Sequence, residues 1–278
     1  MNREDLRIRD PFVFVENGAY YLLGTTGNDC WNAGSDLTLY KSNDLQNFDK
    51  VSTLVEEGVL SSYTQIWAPE IHKYKDKYYL IVSVFKEEKG RGSIILTCEK
   101  LTGPYRLLTG EYITPKGWWC LDATLFVDNG KPYLYFSNEW IKTVNLDGDG
   151  SLFVVQLSDD LTKIFGEPKK IISGKNCGFA TELTYEPTGV KGYVAEGPFV
   201  KRANDKIELY WSTLTVEGYC VVKSLSDQVM GEYTFDKFIF EKDGGHAMVF
   251  HGLDNKEYIT FHQPNISPNE RMQAFLLK

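Results

Sequence analysis

The chain has 278 residues and a formal net charge of −8, and 42% of its residues are hydrophobic against 24% charged. That length buries a substantial core without staples, and the composition is that of a globular chain rather than a disordered one. The acidic balance argues against a nucleic-acid groove, whose affinity comes from clustered Lys and Arg, and suits a neutral ligand.

The N-terminus, Met1-Asn2-Arg3-Glu4-Asp5-Leu6, lacks the apolar stretch of a secretory signal. No later stretch approaches transmembrane length, so no membrane partner is expected. If Met1 is the native start the expectation is a cytoplasmic protein; if a signal has been removed, a secreted or periplasmic one.

Residues 10–26, 68–84, 122–138, 196–213 and 245–262 repeat one pattern. The first opens at Asp10-Pro11, follows an apolar strand to Asn17-Gly18 and returns through Tyr20-Tyr21-Leu22-Leu23. The second opens at Ala68-Pro69-Glu70 and returns from Lys77. The third opens at Asp122-Ala123, turns at Asn129-Gly130 and returns through Tyr133-Leu134-Tyr135. The fourth opens at Glu196-Gly197-Pro198 and returns through Leu209-Tyr210-Trp211, with Trp211 expected in the core. The fifth opens at Gly245-His246.

Asn-Gly suits a type I′ hairpin turn, which needs positive φ at both central residues. Lys77, Lys206 and Lys256 align with Gly18 and Gly130, so the turns recur at intervals of roughly 50–75 residues, near propeller-blade length. Residues 93–99 and 151–157 add strands between the repeats, and amphipathic helices are absent. The prediction is an all-β fold, a five-bladed β-propeller forming one domain over residues 1–278, in preference to a β-sandwich or two stacked β-domains.

In a propeller the innermost strands line a central channel. The openings of the repeats then become neighbours in a ring: Asp10, Glu70, Asp122, Glu196 and His246. Two or three converging carboxylates are what glycoside hydrolysis requires, although each acid alone also reads as a strand-end carboxylate bonded to backbone. The five cysteines (Cys30, Cys98, Cys120, Cys177, Cys220) are odd in number and form no CxxC pair, which argues against a disulfide framework or a zinc site.

With these motifs placed, the chain resembles glycoside hydrolase family 43 along nearly its whole length. The residues that carry the resemblance are Arg9-Asp10-Pro11-Phe12, Trp67-Ala68-Pro69-Glu70, Leu121-Asp122, Glu196-Gly197-Pro198-Phe199 and Gly244-Gly245-His246-Ala247-Met248. His262-Gln263-Pro264-Asn265 and Asn269-Glu270-Arg271 resemble the C-terminal motif of one branch. Ala247 departs from that branch, where Gly is commoner.

The resemblance implies an inverting hydrolase with Asp10 as general base, Glu196 as general acid and Asp122 as the carboxylate that tunes the acid. It also implies that His246 helps hold a calcium ion or a water cluster in the channel, and no organic cofactor. One imidazole is a poor calcium site by itself, because calcium prefers six to eight oxygens.

Trp67 and Trp140 fall near the channel-end loops and are candidates to stack on a sugar. Trp118 or Trp119 is a candidate pocket wall, Arg271 a candidate contact for a substrate hydroxyl, and Glu70 and Glu139 weaker acidic candidates. The expected substrate is an oligosaccharide or polysaccharide side chain. Release of terminal α-L-arabinofuranose from arabinan or arabinoxylan ranks first. A β-D-xylosidase, an endo-arabinanase and a non-catalytic carbohydrate-binding propeller are the alternatives. A phosphorylase would need a basic phosphate pocket, and no Lys or Arg cluster accompanies the motifs.

Overall fold

A computed structural model describes residues 1–27, 29–32 and 36–277. The described residues form five antiparallel sheets in sequence order around a central channel, with no α-helix. Blade one spans Arg9–Glu16, Ala19–Thr25, Thr38–Ser42 and Asp49–Thr53. Blade two spans Thr64–Tyr74, Lys77–Lys86, Gly90–Cys98 and Arg106–Leu107. Blade three spans Cys120–Asp128, Lys131–Asn138, Ser151–Leu157 and Ile164–Ser173.

A two-stranded hairpin, Leu183–Tyr185 with Val190–Gly192, precedes blade four. Blade four spans Glu196–Ala203, Lys206–Thr215, Gly218–Ser226 and Thr234–Phe240, and blade five spans Gly245–His251, Glu257–Gln263 and Arg271–Leu276. The first strand of each blade packs against its counterparts in neighbouring blades, which makes these strands the channel wall.

The second strands explain the apolar runs in the sequence, because alternate residues face opposite sides of a strand and both sides are covered. In blade two, Leu80 and Val82 join the core shared with blade one, while Tyr79 and Ile81 join the core shared with blade three. Tyr135 and Trp211 meet in the core between blades three and four, and Tyr210 and Phe261 in that between four and five. Trp211 is fully buried and donates its indole N–H to Ser224 Oγ at 3.0 Å.

Both Asn-Gly turns are as predicted, with φ of 50° and 70° at Asn17-Gly18 and 49° and 78° at Asn129-Gly130. The alignment of lysines with the turn glycines is off by one. Lys75 and Asp76 take the positive-φ positions, at 46° and 63°, and Lys77 already pairs with Tyr74 as the first strand residue. Lys206 likewise begins its strand, paired with Ala203, and Lys256 lies in the longer loop between His251 and Glu257.

Blade five has three strands, and the N-terminus closes the ring beside the third. Arg7 bridges Arg271, and the Ile8 N–H donates to the Glu270 carbonyl at 3.3 Å. On its other side the N-terminus pairs with blade one: Asn2 bridges Asn47, and the Phe48 N–H donates to the Met1 carbonyl at 2.8 Å. At the far end of the channel, residues including Phe12, Ile71, Leu125, Phe199 and Phe250 line a cavity of about 680 Å³.

Candidate active site

Every first strand carries a register irregularity where it leaves the channel mouth. The residue at that bulge has positive φ in all five blades: Asp10 at 52°, Ala68 at 44°, Asp122 at 53°, Gly197 at 59° and His246 at 56°. Four of the five are not glycine and hold a conformation that costs an L-residue roughly 1–2 kcal/mol, so backbone strain gathers in one ring.

This ring corrects the predicted one. Blade two contributes Ala68 rather than Glu70, and blade four contributes Gly197, with Glu196 one residue earlier. Glu70 is buried and paired with His72, Oε2 to Nε2 at 2.8 Å. At blade four a Cβ on residue 197 would stand 3.0 Å from His246 Cγ, so glycine leaves room for the imidazole.

The second strand of each blade places a polar side chain opposite the residue before its own bulge: Thr25, Ser83, Ser137, Ser212 and His262. Four of these accept the bulge N–H of the next blade. Ala68 donates to Thr25 Oγ1 at 2.8 Å, Asp122 to Ser83 Oγ at 2.7 Å, His246 to Ser212 Oγ at 2.8 Å and Asp10 to His262 Nδ1 at 3.2 Å. The junction of blades three and four differs. There the Gly197 N–H donates to Asp122 Oδ2 at 3.0 Å, and Ser137 Oγ donates to the Ala195 carbonyl at 2.6 Å. The exception draws the Asp122 carboxylate beside Glu196.

The predicted catalytic residues are thereby brought together. His246 Nδ1 lies 3.2 Å from Asp10 Oδ1 and 3.8 Å from Asp122 Oδ2. Thr25 donates its hydroxyl to Asp10 Oδ2 at 2.7 Å. Tyr219, buried on the third strand of blade four, donates its hydroxyl to Glu196 Oε1 at 2.9 Å. The Tyr219 ring stacks on His262 at 5.6 Å and 28° and lies where a side chain on Gly245 would have to go.

Burial would raise the Asp10 carboxyl, but the contact with His246 and the charge of Arg9 hold it well below the usual carboxylate range. Burial raises Glu196 above its ordinary value, against the Tyr219 hydrogen bond and the charges of Arg9 and His246, while Asp10 adds to the rise. Burial also raises Asp122, helped by Glu196 and Asp10 and opposed by His246. His246 runs the other way: burial lowers it, yet Asp10 and Asp122 push it up to about 10, so it is an imidazolium at neutral pH. His262 is held neutral by burial and by Arg9. Its Nδ1 accepts from Asp10, and Nε2 therefore carries the proton donated to Asn265 Oδ1 at 3.2 Å.

Among the remaining candidates, Trp67 lies at the mouth beneath the Arg91 guanidinium, 3.8 Å from its ring centroid. Trp140 stands on the rim edge-to-face with Tyr185 at 6.3 Å. Trp118 packs into the blade-three core against Phe153. Glu139 is buried and bound by Arg91 Nε at 2.9 Å. Arg271 is not brought to the cluster: its guanidinium donates to the carbonyls of Glu4, Pro268 and Glu270. The guanidinium beside Asp10 is that of Arg9, 3.8 Å from Oδ1 and bound to the fully buried Glu270 at 3.1 Å. Among the described residues no group of three or more His, Cys, Asp or Glu is disposed to hold a metal ion.

The family model of glycosyl hydrolases family 43 matches residues 5–274. The chain belongs to that family. It is a glycoside hydrolase, and carbohydrate is its substrate. An extracellular exo-α-(1→5)-L-arabinofuranosidase of Cellvibrio japonicus is 24% identical to it, over 94% of this chain and 80% of that protein. An extracellular exo-α-(1→5)-L-arabinofuranosidase of Streptomyces avermitilis is 27% identical, over 76% of this chain but 42% of its own length. An endo-arabinase structure from Bacteroides thetaiotaomicron superposes with a TM-score of 0.88 at 29% identity, covering 100% of this chain and 96% of that one.

Proposed function

We propose that this chain is an inverting hydrolase that releases terminal α-L-arabinofuranose from arabinan- or arabinoxylan-type oligosaccharides. The observation that carries the mechanism is the opposite treatment of two carboxyls in one buried cluster. Asp10 is held well below the usual carboxylate range while Glu196 is raised above its ordinary value, the direction of separation that a general base and a general acid need. Three relatives named for arabinan-directed activities support the sugar. The word "extracellular" in two of those names supports action outside the cell.

On this reading Asp10 takes a proton from water as the water oxygen attacks the anomeric carbon. The glycosidic C–O bond breaks on the opposite face, and Glu196 gives its proton to the leaving oxygen. The configuration inverts, and solvent exchange returns the proton from Asp10 to Glu196. The His246 imidazolium keeps Asp10 ionised into the acid range, at the expense of basicity. Asp122 fixes the backbone of blade four at Gly197, and the charge of Glu196 helps to raise its carboxyl.

A calcium ion fits the donors present poorly. His246 directs Nδ1 at two carboxylates, and the Glu70 carboxylate is bound to His72, whereas calcium takes six to eight oxygens.

The test is hydrolysis of aryl α-L-arabinofuranoside and aryl β-D-xyloside, with Asp10→Asn and Glu196→Gln alongside. Wild type is expected to prefer the arabinoside and to give the inverted sugar by NMR. Each variant is expected to lose about 10²–10⁴-fold in kcat, with Glu196→Gln losing less on substrates with good leaving groups. A retained anomer would sink the inverting mechanism, and failure to cleave any glycoside on a broad panel would sink the whole reading.

A further inference from the structure

Arg9 and Glu270 lie against the reacting carboxyls, and the acid–base steps above do not use them. Glu270 is fully buried, immediately before the last strand of blade five, and Arg9 is buried one residue before Asp10. Arg9 Nη1 donates to Glu270 Oε1 at 3.1 Å, and Arg7 Nη2 lies 3.3 Å from Oε2. Arg7 is itself held by the Gly27 carbonyl and by Ser267 Oγ at 3.2 Å. The Ile8 N–H donates to the Glu270 carbonyl at 3.3 Å, so the side chain and the backbone of one residue both hold the segment that leads into Asp10.

A guanidinium beside a carboxylate frequently closes on it with two parallel hydrogen bonds. Arg9 does not: its Nε stays 3.8 Å from Asp10 Oδ1, and Glu270 is the acid it bonds. The Asp10 oxygens are left to Thr25, which donates to Oδ2 at 2.7 Å, and to His246, whose Nδ1 lies 3.2 Å from Oδ1. An Arg9 paired fully with Asp10 would occupy the lone pairs with which a base takes its proton. Glu270 draws the cation away from that arrangement.

The charge of Arg9 reaches the acid as well. Burial pushes both carboxyls up. The Arg9 charge opposes that rise at Asp10, after the larger contribution of His246, and at Glu196, after the hydrogen bond from Tyr219. An arginine stays charged at any working pH, so a second acid is needed to limit its pull. The groups facing Glu196 are Tyr219 from its own blade, Arg9 and Asp10 from blade one, Asp122 from blade three and His246 from blade five. Those paired with the Glu270 carboxylate are Arg7 and Arg9, while Arg271 donates to its carbonyl.

We propose that Glu270 is a positioning residue for the acid–base pair: its carboxylate holds the Arg9 guanidinium off Asp10 and balances that cation beside Glu196. The proposal rests on the glycosidase reading above and deepens it. It gives the ion pair at the closure of the ring a task in the chemistry, beyond joining blade five to blade one.

The experiment is the pH dependence of kcat/KM on whichever glycoside of the panel wild type cleaves best. It compares wild type, Glu270→Gln, Arg9→Gln, the double variant of both and, as a structural control, Arg271→Met. Glu270→Gln keeps the shape of the side chain and removes one negative charge, so the unbalanced Arg9 favours loss of the proton from Glu196. The alkaline limb is expected to move down by about one pH unit, with kcat lower by about tenfold and KM changed less. Arg9→Gln is expected to move that limb up, and the double variant to return it close to the wild-type position. Arg271→Met removes bonds to main-chain carbonyls but no partner of Arg9, and is expected to lower the urea midpoint without moving the limb.

A merely structural ion pair would cost activity and stability with the limb in place. An unmoved limb in folded Glu270→Gln and Arg9→Gln proteins, shifts of the same sign in both, a double variant that keeps the shift of either parent, or the Glu270→Gln shift reproduced by Arg271→Met would overturn the positioning role and leave the glycosidase reading intact. If Glu270→Gln does not fold, Arg9→Gln decides: upward movement of its limb supports the balance, and an unmoved limb overturns it. A wild type that cleaves no glycoside overturns both readings.

Discussion

Tyr219 links Glu196 to the backbone of Asp10. Its hydroxyl donates to Glu196, and its ring lies on His262, which accepts the amide proton of Asp10. A hydrogen bond donated to a carboxylate favours the ionised form, so Tyr219 opposes the rise that burial imposes on Glu196. Tyr219→Phe removes that opposition while keeping the stacked ring. The alkaline limb of the pH profile of kcat/KM, which reports loss of the proton from the free-enzyme acid, should therefore move to higher pH. The acid limb, set by Asp10, should move much less. A pH–rate series on one aryl glycoside checks this, and a downward shift of the alkaline limb would show that Tyr219 is not the group restraining the acid. Nothing in the sequence singles out Tyr219, since its contact is made by a third strand whose pattern is that of any buried strand. Arg9 and Glu270 were in view as parts of motifs. Their pairing was not, because it joins residues 261 positions apart.

At the scale of the strand pair, the bulge hydrogen bonds decide how one blade is set against the next. The Asp122 N–H is received by Ser83 of the preceding blade. Ser83→Ala leaves that donor buried without a partner, which costs about 1–3 kcal/mol. An unfolding free energy lowered by that amount, read as a lower urea midpoint, is expected, together with a fall in kcat as Asp122 loses its backbone anchor. Unaltered stability and activity would mean that the contact is not needed to set the blades. Much of this architecture is legible in the sequence. The two Asn-Gly turns, the apolar second strands and the spacing of the repeats carry the five blades, and Asp10, Asp122 and His246 fall where expected. Glu70 does not, because the bulge shifts the ring position to Ala68, and a bulge is a property of pairing between strands that alternation along one strand does not reveal. A signal was nevertheless present: Thr25, Ser83, Ser137 and Ser212 place a hydroxyl at the same point of four returning strands. The lysine alignment missed because the positive-φ residues come earlier, at Lys75-Asp76, Asn204 and Asn255, where Asn and Asp tolerate the left-handed region best. Ring closure was not legible either, since it rests on the short N-terminal segment and on the bonds of Arg271 to main-chain carbonyls rather than on a patterned strand.

For the molecule as a whole, four of the five first strands bring Asp10, Asp122, Glu196 and His246 into one hub, and stability should follow its titration. His246 is raised from 6.5 to about 10 on folding, so the stability it contributes is complete below about pH 6.5 and is lost as pH rises toward 10. Glu196 and Asp122 are raised too, and for an acid this means that the folded state resists the charged form. Their effect therefore also weakens the fold as pH climbs past their ordinary values. Asp10 acts in the opposite window: its depressed carboxyl contributes fully above its ordinary value of 3.8 and loses that contribution as pH falls below it. These signs together place maximum stability at weakly acidic pH, between the ordinary values of Asp10 and His246. The urea midpoint, followed by tryptophan fluorescence, should fall steadily from about pH 6 to about pH 10. His246→Gln should be less stable at about pH 6, where the imidazolium is fully charged, and should lose much of the slope above it. A variant that kept the wild-type slope through that window would show that the alkaline loss comes from groups other than the His246 imidazolium.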